Sequence, residues 1–223
     1  MNELNKNNDL ILDIFDPRIR LKGMIDLEAF IKEYDFAGCV VLLAGSREVL
    51  PMEEEKLRKL GKLLAERSNH MTFRSGNADG ADQFFTQGVG EVDKSRIEVF
   101  TPYATHKQGN RRGYNAFSLE EVDVVNEPTL VEQAKENKNT KYGVEQYVKG
   151  ASKGKTVANG ALILRSTLMV TGASNPFVQS ANFAIFYVDK TYVKSGGTGH
   201  TIQVCKNLNV PHIDQDIWFS WLD

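Results

Sequence analysis

The sequence predicts an α/β fold, a Rossmann-like doubly wound parallel sheet of about five strands. Three observations carry that expectation. Short runs such as GCVVLLAG (38–45) and NFAIFYV (182–188) are almost wholly apolar, as strands covered on both faces of a parallel sheet must be. Segments with apolar residues at helical spacing separate the runs. The turns that lead from strand to helix are rich in Gly, Ser and Asp.

Each element follows in order. Residues 1–37 are polar and then amphipathic, with Leu27, Phe30, Ile31 and Tyr34 at helical spacing, so an N-terminal helical extension should pack on the main domain, 38–223. The first strand is expected at 39–44. Pro51 opens a helix with Glu53, Glu54 and Glu55 in its first turn, where negative charge complements the helix dipole. Leu57, Leu60, Leu63 and Leu64 give that helix its apolar stripe. Strands at 71–74 and 96–100 flank a helix at 79–89. A fourth strand at 182–187, a glycine-rich turn, a helix at about 199–208 and a last strand at 210–213 complete the alternation. All five strands should run parallel. Residues 103–160 lack this rhythm and read as an insertion after the third strand, partly helical, lying over one edge of the sheet. Between Lys135 and Lys155 it carries six lysines against two glutamates. That excess suits either a solvated surface or a contact for a polyanion.

Composition narrows the class. The 223 residues are 41% apolar and 25% charged, with 27 Lys and Arg against 29 Asp and Glu, a net charge of −2. A globally basic nucleic-acid binder is disfavoured, whereas a local basic patch is not. No apolar run approaches the roughly 18 residues needed to span a bilayer, and the N-terminus has no signal-peptide stretch. A cytoplasmic protein with no membrane partner is expected. Cys39 and Cys205 each sit in an apolar segment, as buried free thiols of a reducing compartment do. His70, His106, His200 and His212 show no metal-ligand spacing, so no metal and no cofactor are expected. Trp218, Phe219, Trp221 and Leu222 form an apolar C-terminal cluster, either a tail packed on the domain or a subunit interface of a homo-oligomer.

In a doubly wound sheet, ligands bind beyond the carboxyl ends of the strands, where backbone amides at helix N-termini cradle anions. Three strand-to-helix turns are suited to this. In AGSRE (44–48), Gly45 permits a tight turn, and Ser46 and Arg47 offer a hydroxyl and a planar cation to a phosphate. The alternative is that Ser46 caps a helix and Arg47 pairs on the surface. In RSGNADGAD (74–82), Ser75, Gly76 and Gly80 allow close approach of a ligand, Asp79 is placed to cap the helix, and Asp82 to face the loop from its first turn. In SGGTGHT (195–201), three glycines precede a helix, so that Ser195, Gly196, Gly197, Thr198, Gly199, His200 and Thr201 form a phosphate cradle with free amides and hydroxyls. No Lys-Ser or Lys-Thr pair follows, so it is not a P-loop.

Together VVLLAGSRE, FRSGNADGADQFF, RSTLM from Arg165, NFAIFYV with SGGTGHTIQVC, and NVPHID resemble, in this order, the SLOG superfamily of Smf/DprA- and LOG-like Rossmannoid nucleotide-binding proteins. The resemblance implies a nucleotide or nucleotide-derived ligand held across these loops. Its phosphate would lie on Gly196 to Thr201, helped by Ser46 and Arg47. The ribose or base would meet Gly76 to Asp82, and Arg165 would neutralise charge. LOG-type members are phosphoribohydrolases that cleave the N-glycosidic bond of nucleoside 5'-monophosphates, with a PGGxGTxxE pattern and an upstream Arg. Arg165 matches that arginine and Gly196, Gly197 and Gly199 match the glycines. Ser195 replaces the Pro, His200 the Thr and Gln203 the Glu. An amide can neither take a proton nor stabilise an oxocarbenium ion by charge, so catalytic residues stay unassigned. Asp82 or Glu48 are the carboxylates that could substitute. The expectation is therefore binding for sensing or sequestration, with hydrolysis as one alternative. DprA-like DNA binding, supported by the 135–155 lysines, is a second.

Overall fold

A computed structural model describes residues 26–151, 154–189 and 196–223. Its centre is a six-stranded sheet, parallel throughout. The strands are β1 (Val40–Gly45), β2 (Thr72–Ser75), β3 (Ile97–Thr101), β4 (Asn115–Ser118), β5 (Phe183–Tyr187) and β6 (His212–Ile213), in the order β4-β3-β2-β1-β5-β6. The five expected strands are all present within a residue or two. The count is six, not five, because NAFS lies within 103–160 and pairs with β3 at the sheet edge. Its first two residues are exposed, so it has no apolar run to announce it.

Both faces of the sheet are covered, which is why β1 needs VVLLA on every position. Val41 and Leu43 face one layer, Leu42 and Ala44 the other. The first layer holds α1 (Leu27–Tyr34), α2 (Glu54–Arg67), α3 (Ala81–Val92) and α8 (Gln215–Trp218). Leu57, Leu60 and Leu64 of α2 and Phe85 and Val89 of α3 are buried there, and Leu63 is half-buried. The Asp26 side chain caps α1 by accepting from the Ala29 amide, and Phe30 docks against Phe183 and Trp221 at ring separations of 4.9 and 5.2 Å. The extension expected over 1–37 is described only from Asp26 onward, and that part packs on the sheet. The C-terminal cluster also turns inward: Trp218 is fully buried and its Nε1 donates to the Phe186 carbonyl at 2.9 Å.

The second layer comes in part from the segment read as an insertion. Helices α4 (Pro128–Lys135), α5 (Lys141–Val148) and α6 (Lys155–Thr171), with α7 (Gly196–Asn207), contribute Leu130, Val131, Val144, Ala161, Leu164, Leu168, Val204 and Cys205 to one core. Lys138, Lys141, Lys149 and Lys155 project from this layer into solvent. Both thiols are buried and free. Burial pushes the Cys39 thiol up to about 11 and Cys205 further still, so neither is a ready nucleophile. Among the described residues, no helix is long and apolar enough to cross a membrane.

Candidate functional site

The strand order reverses about β1, which pairs with β2 on one side and β5 on the other. A doubly wound sheet opens a crevice beyond the carboxyl ends of its strands at such a switch point. Two of the three turns singled out above interlock there. The Ser46 amide donates to the Tyr187 carbonyl, and the Ala81 amide, at the start of α3, donates to the Ser46 carbonyl. The Ser46 hydroxyl accepts from the Glu48 amide at 3.1 Å. Gly80 has φ +80, and a β-carbon there would stand 2.3 Å from the Arg47 carbonyl. Only glycine tolerates both the backbone and the approach.

Asp82 fastens the two turns together. It is buried at the first turn of α3, with Oδ1 accepting from the Gly45 amide at 3.2 Å and Oδ2 from the Ala78 amide at 3.3 Å. The Gly76 amide donates to it as well. Burial pushes its carboxyl up; Arg165 and the three amides pull it back. Asp79 does not cap the helix, as its position suggested, because a stronger partner competes. Its Oδ1 accepts from Asn110 Nδ2 at 3.0 Å and its Oδ2 pairs with Lys107 Nζ. Asn77 Nδ2 donates to the Lys107 carbonyl at 3.1 Å, so the 103–113 loop is latched over the β2 turn. The Ser75 hydroxyl donates to the Leu43 carbonyl at 2.9 Å and belongs to the sheet rather than to the crevice.

Arg165 enters from α6. It is 6% exposed, and among the described residues its Nη1 reaches the Met169 sulfur at 3.7 Å while its Nε has no hydrogen-bond partner. It lies against Gly76 so closely that a β-carbon there would overlap Nη1. Burial lowers its pKa and the Asp82 charge opposes that shift. A buried guanidinium with an unused donor is costly, at about 1–3 kcal/mol, unless something else occupies it.

The glycine segment forms the first turn of α7 itself, from Gly196, instead of a loop before it; Ser195 lies outside the described residues. Gly196 and Gly197 are exposed, and a β-carbon on either meets nothing within 4 Å. Thr198 and Gly199 are half-buried. Thr201 is buried and its hydroxyl turns back to the Gly197 carbonyl at 2.9 Å. His200 is buried against α6, its Nε2 2.8 Å from the Thr167 hydroxyl oxygen. The Thr167 proton is already donated to the Ile163 carbonyl at 2.9 Å, so His200 must carry its proton on Nε2. Burial lowers the His200 pKa to about 4. Gln203 is exposed and donates to Asn207, which reaches Gln133 and Glu136. If an anion rests on this helix start, Gly197→Val should crowd it and weaken binding about tenfold, or about 1.4 kcal/mol. An unchanged dissociation constant for a folded variant would place the anion elsewhere.

The structure thus gathers Gly45, Ser46, Arg47, Gly76, Asp79, Gly80, Asp82 and Arg165, sets Gly196 to His200 beside α6, and turns Gln203 away. It adds a group that sequence reasoning passed over: His106, Lys107 and Arg111 on the loop after β3. The signal was present in THKQGNRRG (105–113), a basic, glycine-containing turn following a strand. Burial lowers the His106 pKa, and the charges of Arg165, Lys107, Arg47 and Arg111 lower it further. Among the described residues, no three His, Cys, Asp or Glu side chains are grouped to hold a metal.

No family model matches the chain, and no curated protein matches it either. Among solved structures, DNA processing protein A from Helicobacter pylori, studied for its single-stranded DNA binding mode, is similar over 80% of this chain, with 14% identity and a TM-score of 0.46. The match spans 65% of that protein's chain, just under two thirds of its length. What this chain itself has is a Rossmann-like parallel α/β fold with Arg47, Lys107, Arg111 and Arg165 gathered near the turns at its switch point.

Proposed function

We propose that the protein is a SLOG-type binder of a phosphorylated, nucleotide-derived ligand, used for sensing or sequestration. The observation that carries this reading is Arg165, a buried guanidinium whose Nε has no hydrogen-bond partner among the described residues, beneath the β2 turn at the switch point. Arg47 and Lys107 add positive charge from two other loops, and the exposed start of α7 offers a helix N-terminus, which favours an anion. Phosphate oxygens are acceptors for such donors. Binding without hydrolysis is favoured because Gln203, at the position where the related hydrolases hold a carboxylate, engages Asn207 on the helix exterior.

The test is equilibrium binding of AMP, GMP, CMP and UMP by calorimetry, with free base followed by chromatography in the same samples. Arg165→Ala should weaken binding on the order of 100-fold, or about 2.7 kcal/mol, and Arg165→Lys should restore part of it. An affinity untouched by either substitution would refute the role of Arg165, and steady release of base would make the protein an enzyme. A second reading, single-stranded DNA, is favoured by the exposed or half-exposed Arg47, Lys107 and Arg111 around the crevice. Its signature is affinity for an oligonucleotide that falls steeply with salt.

A further inference from the structure

Of the cations near the switch point, Lys107 is held by a carboxylate of the chain itself. Its Nζ lies 2.5 Å from Asp79 Oδ2, and Asp79 Oδ1 accepts from Asn110 Nδ2 at 3.0 Å. The Asp79 side chain is 63% exposed and that of Lys107 30%, so water and an incoming anion both reach the pair. An exposed ion pair adds little to stability, because it orders two side chains for a screened attraction.

The two partners differ in their freedom to move. Asp79 follows Ala78, whose amide is bound by Asp82, and precedes Gly80, which packs against the Arg47 carbonyl with φ +80. Its carboxylate is thereby fixed beside the β1 turn, where the Arg47 charge also acts on it. Lys107 has its carbonyl held by Asn77 Nδ2, but its ammonium ends a flexible four-carbon stem. A terminal phosphate brings close to two charges and three acceptor oxygens to that ammonium. Asp79 offers one charge, already shared with Asn110.

Resting on the reading of this crevice as a phosphate site, we propose that Asp79 is a competitor built into it: its carboxylate occupies Lys107 in the free protein, and the ligand's phosphate takes the ammonium over on binding. The contact is autoinhibitory. Binding exchanges one ion pair for another, so the ligand gains only the difference between them.

The experiment is calorimetric titration of AMP and of inorganic phosphate into the parent protein, Asp79→Asn, Lys107→Ala and the double variant. Asparagine keeps the size and the acceptor for Asn110 and removes the charge that holds Lys107. Asp79→Asn is expected to bind AMP about tenfold more tightly than the parent. With Lys107→Ala already present, the same substitution should change the affinity by no more than about twofold, because the group it releases is gone. Equal affinity in the parent and Asp79→Asn overturns this inference and leaves the phosphate-site reading standing. Weaker binding by Asp79→Asn does the same, since Asp79 would then support the ligand instead of competing with it. A tenfold gain that persists without Lys107 overturns the exchange and assigns the gain to repulsion between Asp79 and the ligand. No binding of AMP or phosphate by any of the four proteins overturns both.

Discussion

Lowering the pH from 6.5 to 4 should remove about 3 kcal/mol of stability through His200 alone. The ring is 7% exposed, and burial brings its pKa down from 6.5 to about 4. Below 6.5 the unfolded chain protonates this imidazole, while the folded chain holds it neutral until about pH 4. In that window the unfolded state binds more protons, so stability rises with pH. The contribution is complete above the unfolded pKa and is lost progressively as pH falls toward the folded one. A proton on His200 would also sit at the start of a helix, where positive charge is disfavoured. Urea unfolding at several pH values should show the slope, and His200→Gln, which can still donate to Thr167, should flatten it. Carboxylates titrate in both proteins and cancel in the difference. Identical pH profiles would mean that His200 is protonated in the folded state.

Replacing Arg74 by Met should cost about 3–5 kcal/mol. Arg74 is 1% exposed and lies in β2, in the middle of the sheet. Its Nε and Nη2 donate to Glu98 Oε2 at 3.0 and 2.9 Å. Its Nη1 donates to the carbonyls of Met169 and Gln179 at 3.1 and 2.7 Å, and its guanidinium lies 4.7 Å from the Phe100 ring centre. Methionine fills the space but strands a carboxylate and two carbonyl oxygens together. Arg74→Lys keeps the charge but cannot serve Glu98 and two carbonyls with one planar group, so it should fall between. Unfolding midpoints of the three proteins rank them. A methionine variant as stable as the parent would show that water solvates these acceptors once the guanidinium is gone.

How far the sequence disclosed all this depended on whether a residue's partner was near in sequence. β1 and β5 were legible because burial on both faces forces apolar residues at every position. β4 was not, since an edge strand of four residues with two exposed needs no such pattern. That Asp82 faces the loop followed from its place in the first turn of a helix after a glycine turn. The role of Asp79 did not, because its partners Lys107 and Asn110 lie 28 and 31 residues on, in a loop without periodicity. The glycines at 196–199 have low helix propensity and read as a loop. Packing of His200 and Thr201 in the first turn overrides it. Gln203 could be aligned to a motif, but its direction depends on Asn207 and α4.

The two neighbours of β1 differ greatly in when they can arrive. The bond from the Ser75 hydroxyl to the Leu43 carbonyl joins residues 32 apart, whereas the bond from the Val40 amide to Asn182 joins residues 142 apart. Closing the longer loop costs more chain entropy before any contact repays it, and such pairings slow folding. The β1–β4 half should therefore assemble first, with β5 and β6 zipping onto its open edge afterwards. In pulse-labelling hydrogen exchange, amides of β2 and β3 should gain protection ahead of those of β5. The crevice straddles that seam, so a nascent or partly unfolded chain has its turns after β1 and β2 before it has a place to bind anything.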